Sequence, residues 1–439
     1  MSAAVGGVSP KRRDEIIGAL RHGTVPAQGL DQLAVGLDRF QVALDEELTT
    51  VAEGGSEIKA VRGEYGTGKT FFARHLAEKA LRKGFATAEV QISESETPLH
   101  KLETVYRRIT ESLRTASVQP SAFRAVLDTW LYTVEDDALA ADPTLESSPE
   151  RLTSAATELL DERLAQVSST TPAFAQALRA YHKVSGADAE TADGLAAWLA
   201  GEPHVAASAK RVAGVKGDLD HFGAMSFLQG LLTVLRDSGH PGLLLVLDEV
   251  ETLQRMRSDV RDKALNALRQ LMDEIDGGRY PGLFLVLTGT PAFFEGPSGV
   301  QRLPPLAQRL ATDFATDARF DNPRAVQIRL PGFTAEALLA VGVRVRDLYA
   351  NGRETSDRIH ALVDDGYLSV LSRAVLGGLG ERVGVAPRIF LKKLVGDVLD
   401  RVDQFPDFDP RVHYALTIDH SDVSETGPVS NPDDIDLDL

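Results

Sequence analysis

The chain has 439 residues and a mass of 47.4 kDa, more than one simple core needs and enough for two or three domains of ~100–200 residues. Its composition, 43% hydrophobic and 25% charged, is that of an ordinary globular protein, while a net charge of −17 excludes coating nucleic acid by overall positive charge, though not a local basic groove. The absence of cysteine excludes disulfides, thiolate metal sites and a cysteine nucleophile. No paired histidine spacing reads as a zinc site. Met1 to Arg13 lacks the apolar stretch of a signal peptide, and no apolar run approaches the ~20 residues of a membrane span. A soluble, cytoplasmic protein with no membrane partner is expected.

In chain order, Ile16, Ile17 and Leu20 predict a first helical face, Gly23 to Gly29 breaks it, and Leu33, Leu37, Phe40 and Leu44 resume it. A strand at Ile58 to Val61 runs into a glycine-rich loop and then a helix from Lys69 to Lys83, stopped by Gly84. A second strand is predicted at Phe85 to Ile92. From Thr97 to Lys216 the pattern turns helical, with Leu102, Val105, Tyr106, Ile109 and Leu113 at helical spacing and loops carrying Pro143 and Pro149. Leu243 to Leu247 and Leu283 to Leu287 are apolar throughout, as strands buried on both faces are. An amphipathic helix lies between them. A strand at Val326 to Leu330 and a break at Pro331-Gly332 precede a helical stretch to Val402. The last 21 residues hold seven acids and no Lys or Arg. Strand–helix alternation predicts a parallel sheet with helices on both faces. The expected divisions are an N-terminal helical segment (1–50), an α/β core (51–96 and 217–331), a helical insertion (97–216), a helical lid (332–404) and an acidic, disordered tail (405–439).

The strongest chemical signal is Gly63-Glu64-Tyr65-Gly66-Thr67-Gly68-Lys69-Thr70, a complete G-x-x-x-x-G-K-[ST] with a strand before it and a helix after it. Glycines there let backbone N–H groups converge on phosphate oxygens, helped by the positive end of the helix. Lys69 would reach the β- and γ-phosphates, and the Thr70 hydroxyl would ligate Mg²⁺. Leu243 to Leu247 ends in Asp248-Glu249 at the carboxyl edge of the sheet, where open α/β folds bind ligands. Asp248 fits the Mg²⁺-side carboxylate through water, and Glu249 the residue that orients or activates water. Thr288 and Thr290, closing the next strand, are placed to orient that water, although Thr288-Gly289-Thr290-Pro291 also makes a plain turn. Arg309, near the end of a short helix after Pro304-Pro305, could complete a neighbouring subunit's site; Arg302 and Arg319 compete with it, and a solvated surface charge is the alternative for each. Arg388 follows Pro387 at a helix start, able either to reach back to a γ-phosphate or to serve at the surface.

This ordered set resembles the AAA+ ATPases near the initiator and STAND branch, over residues 20–100 and 220–404: a Walker A loop, Walker B at Asp248-Glu249, a first sensor at Thr288, a finger at Arg309, and a lid with a second sensor at Pro387-Arg388. It departs from them in that 178 residues separate Thr70 from Asp248, where a βαβ unit needs ~30. The chain also resembles the BrxD family of BREX-system ATP-binding proteins over nearly its whole length. The carrying stretches are RRDEIIGALRHGTVPAQGLDQLAVGLDRF from Arg12, IKAVRGEYGTGKTFFARHLAEKAL from Ile58, LLLVLDEVETLQRMRSDVRDKALNALRQLMDEID from Leu243 and RLPPLAQRLATDF from Arg302. The resemblance implies an AAA+-type P-loop α/β fold with ATP and Mg²⁺ as cofactors, and places Val25 to Gln28, Val25 and Pro26 foremost, beside the adenine. It further implies bacterial antiphage defence beside a helicase-like partner.

Three functions remain open on these residues. The first is an ATP-driven switch or homo-oligomeric motor in a defence complex. The second is a DNA-binding initiator- or loader-like ATPase, touching DNA itself or through its partner; the winged helix usual in that branch is not expected in the acidic stretch after Gln404. The third is a nucleotide-stabilised scaffold that does not hydrolyse, against which the intact Asp248-Glu249 pair argues.

Overall fold

The computed structural model describes residues 8–165, 171–379 and 386–418. Five strands, β1 (Glu57–Arg62), β2 (Ala86–Gln91), β3 (Leu243–Asp248), β4 (Leu283–Gly289) and β5 (Gln327–Arg329), form one sheet in the order β2-β3-β4-β1-β5. Every pairing is parallel. Successive side chains of a strand point to opposite faces, and the apolar run of β3 divides accordingly. Leu244 and Val246 join one core with Phe284, Val286 and the helices α2 (Asp38–Ala52) and α3 (Lys69–Arg82). Leu243, Leu245 and Leu247 join a larger core on the other face.

That larger core also takes in Tyr106, Trp130, Phe174, Leu195 and Trp198 from residues 97–216. The insertion therefore shares one hydrophobic core with the sheet. A strand–helix sequence signal cannot reveal this, because it reports local period and not which face a later helix covers. Tyr106, Phe174 and Trp198 each meet Phe227 edge-on, with ring centroids 5.8, 5.0 and 5.3 Å away.

Past Pro331-Gly332, the helices from Ala335 to Gln404 build a separate core. Helix α1 (Pro10–Arg21) belongs to it, burying Ile16, Ile17 and Leu20 against those helices. Arg21 seals the contact with two hydrogen bonds to Asp400, 2.6 and 2.9 Å. The 1–50 segment is thus divided: α1 packs with the lid, α2 with the sheet, and the loop between them crosses from one body to the other.

The chain also stays structured past Phe405, where disorder was expected. Phe408, Tyr414, Leu416 and Ile418 pack on the lid core, and the Arg358 guanidinium donates to Phe408 O at 2.8 Å. The acids make the tail composition look unstructured, but these four apolar residues lie upstream of them. Residues 419–439, to which the expectation of an acidic disordered end also applies, lie outside the described residues. Among the described residues no helix is long and apolar enough to cross a membrane.

Candidate functional site

The sheet order carries the site. β4 lies between β1 and β3, and the registers Val61↔Thr288 and Leu247↔Leu287 put Thr288 level with both the loop leaving β1 and Asp248. Above this edge opens a cleft of about 400 Å³. One wall is the loop of residues 65–71, a second is Val25, Pro26 and Val35 of the crossing loop, and a third is Phe333, Pro387, Arg388 and Leu391 of the lid. Glu249 and Glu251 line its floor.

The glycines of the loop are required by its geometry. Gly66 and Gly68 have φ of +78° and +90°, in the left-handed region side chains disfavour. A Cβ on Gly63 would lie 2.3 Å from Thr67 Oγ1. The bend carries the chain into α3 at Lys69, whose side chain is only 7% exposed and whose Nζ donates to Gly63 O at 3.0 Å and Glu64 O at 3.3 Å. These features form a cradle that a side chain would fill, with a positive helix end behind it, and they fit a bound phosphate chain.

Beneath the cradle, Thr70 Oγ1 donates to Asp248 Oδ2 at 2.9 Å, and the fully buried Thr288 hydroxyl donates to Asp248 Oδ1. The Thr288 oxygen in turn accepts the Glu249 N–H at 3.1 Å. Burial pushes the Asp248 carboxyl above its ordinary range, while the Thr288 and Thr70 hydroxyls oppose that rise. The Thr70 hydroxyl and Asp248 carboxylate are hard oxygen ligands side by side, the protein's usual share of a Mg²⁺ shell. Glu249 sits at φ 59°, ψ 44°, an uncommon left-handed conformation for a side-chain-bearing residue. Its carboxylate accepts from Gln91 Nε2 at 2.9 Å, at the carboxyl end of β2.

The remaining expected residues fall in two groups. Val25, Pro26 and Arg388 line the cleft, and Arg388 Nε lies 3.2 Å from where a Cβ on Gly23 would stand. Gln28 faces away from it, donating to Gln119 at 2.8 Å in a second hollow, so the crossing loop meets the cleft through Val25 and Pro26 and not along its whole length to Gln28. Arg309 is outside the cleft lining as well, forked onto Asp273 (2.5 Å) and Asp276 of the helix Ser258–Asp276. Arg319 is 72% exposed, with Asp317 at 3.5 Å.

Sequence reading did not single out Gln91, Glu251 or the apolar wall of Phe333 and Leu391. Gln91 carries the one signal that could have been used, a polar residue ending a strand at the ligand edge. Glu251 is buried among groups distant in the chain, and burial pushes its carboxyl up against the opposing pull of Lys69.

A family model described as "BREX system ATP-binding protein BrxC/D" matches residues 8–418. Among solved structures, the Aeropyrum pernix ORC2 protein in its ADPNP-ADP complexes is similar over 86% of this chain and 70% of that one, at 14% identity and a TM-score of 0.39. No curated protein matches the chain.

Proposed function

The chain belongs to the BREX system ATP-binding BrxC/D family, and on that premise we propose that it is a Mg²⁺-dependent ATPase whose nucleotide state switches the position of its lid. The observation that carries this reading is the run of contacts Thr70–Asp248–Thr288–Glu249 N–H directly beneath the Lys69 loop. Bound Mg²⁺ would neutralise charge developing on the phosphates. Thr70 and Asp248 hold the ion, Lys69 pairs with the phosphates, and Glu249 orients and activates the attacking water while Thr288 fixes the backbone that carries it. Val25 and Pro26 flank the base, with Gly63 to Thr67 wrapping the phosphates. Arg388, on the lid wall, contacts the γ-phosphate, and its loss on hydrolysis releases the lid.

The active form is a homo-oligomer in the cytoplasm, acting with a helicase-like protein of the same defence system, which brings it to DNA. Arg309 completes the neighbouring site once it leaves its two aspartates; Arg319, more exposed, and Arg302, paired with Asp262, are the rivals for that role. Turnover by the purified protein, alone and with DNA, measured with its mass by light scattering, tests the reading. Turnover that rises with protein concentration and with ATP-driven assembly, and that is lost in Arg309→Ala but kept in Arg319→Ala, supports it. The reverse pattern moves the finger to Arg319, and a monomer whose full activity is independent of concentration contradicts an oligomeric mechanism.

A further inference from the structure

Glu251 stands two residues beyond Glu249 and has no part in the mechanism above. Its side chain is 3% exposed, and neither carboxylate oxygen has a hydrogen-bond partner. Buried carboxylates are normally hydrogen-bonded as well as paired, so one held by an ion pair alone calls for a cause. The cation facing it is Lys69, whose Nζ lies 3.7 Å from Glu251 Oε1.

An ammonium group has three donors. Two of those on Lys69 are directed to Gly63 O and Glu64 O. The third is the one that a β- or γ-phosphate needs, and Glu251 lies within its reach, in the lining of the same cleft. A phosphate brought to Lys69 therefore meets a second anion only a few ångströms beyond it, in a setting too buried for water to screen the two charges.

We propose that Glu251 is a built-in counter-ion that competes with nucleotide phosphates for Lys69, weakening polyphosphate binding and speeding product release. It is a positioning residue acting through Lys69, and the inference rests on the nucleotide reading of the cleft. Glu251 faces Lys69 on the phosphate side, whereas Glu249, held by Gln91, serves the water side of the site.

The test measures affinity and release of fluorescent ADP, and affinity for AMP, with the full chain carrying Glu251→Gln, Glu251→Asp or no change. Gln keeps the shape and removes the charge. The expected result is roughly tenfold tighter ADP binding with slower release in Glu251→Gln, wild-type behaviour in Glu251→Asp, and unchanged AMP affinity, since the P-loop lysine reaches the β- and γ-phosphates and AMP has neither. Thermal unfolding without nucleotide shows whether each variant is folded, and Glu251→Ala replaces Gln if Gln is not. ADP affinity that is equal or weaker in the folded neutral variant overturns the proposal while leaving the nucleotide site intact. Failure of both wild type and neutral variant to bind ADP overturns the site reading together with it; binding by the neutral variant alone supports the counter-ion.

Discussion

The two sides of the cleft are built in different ways. On the phosphate side, Thr288 and Asp248 are sealed into strands covered on both faces, at 0% and 5% exposure, and each polar atom is tied to another by the register of β1, β4 and β3. On the lid side, α1 and the helices from Ala335 to Gln404 make a core of their own, tied together at its rim by partly exposed pairs such as Arg21–Asp400 and Arg353–Asp403. Close-packed sheets resist sliding because one step of register moves every side chain. A body with its own core can shift as a unit about its connections, here Pro331-Gly332 and the crossing loop. On the proposed reading, the chemistry is fixed in the sheet and the part that responds to it is the lid.

Substitutions on either side can break or sharpen that contrast. The largest effect is expected for Lys69→Ala, which removes the charge at the centre of the cradle. A charge-assisted hydrogen bond contributes about 1.5–3 kcal/mol, so ATP affinity measured by calorimetry should fall roughly tenfold to a hundredfold. Thr288→Val comes next. It strips Asp248 Oδ1 of a donor and leaves the Glu249 N–H without its threonine acceptor, so denaturant unfolding should show a loss of about 1–3 kcal/mol, accompanied by lower turnover.

A third effect concerns pH and belongs to the sheet half. Burial pushes the Glu47 carboxyl up to about 7 from an ordinary 4.5, against the opposing pull of Lys59. The folded state then holds this proton more tightly than the unfolded chain. Its contribution is complete below pH 4.5 and is lost as pH rises to about 7. Unfolding of Glu47→Gln across that window should lack this downward slope, which the wild type shows. The smallest effect is on the lid: Arg21→Ala opens a partly exposed pair and should cost about 1 kcal/mol or less, with nucleotide affinity unchanged. A large loss of affinity there would mean that the lid and the sheet are not the separable bodies described.

The same contrast explains what could be read in the sequence. The cradle, Asp248, Glu249 and Thr288 follow from local pattern, because a P-loop needs its glycines and lysine at fixed spacing and a doubly buried strand is apolar until it meets the ligand edge. The parallel sheet follows from the alternation of strands and helices. What stayed hidden depends on contacts between distant segments. Ile16, Ile17 and Leu20 look like any amphipathic helix, and nothing local says that they pack on the lid. Residues 97–216 show helices but not that Phe227 gathers three of their rings. Glu251 reads as one more acid in Asp-Glu-Val-Glu until the fold sets it 3.7 Å from Lys69. Phe408 to Ile418 were masked by the acids that follow them.

The most direct test of the central claim is ATP turnover by the wild type beside Glu249→Gln, with ATP binding measured on both. General-base assistance contributes roughly 10²–10⁴-fold, so turnover should fall by that order while ATP binding is retained. Equal turnover in the two proteins, or loss of binding together with turnover, would contradict the assignment of water activation to Glu249 and of nucleotide binding to the Lys69 cradle.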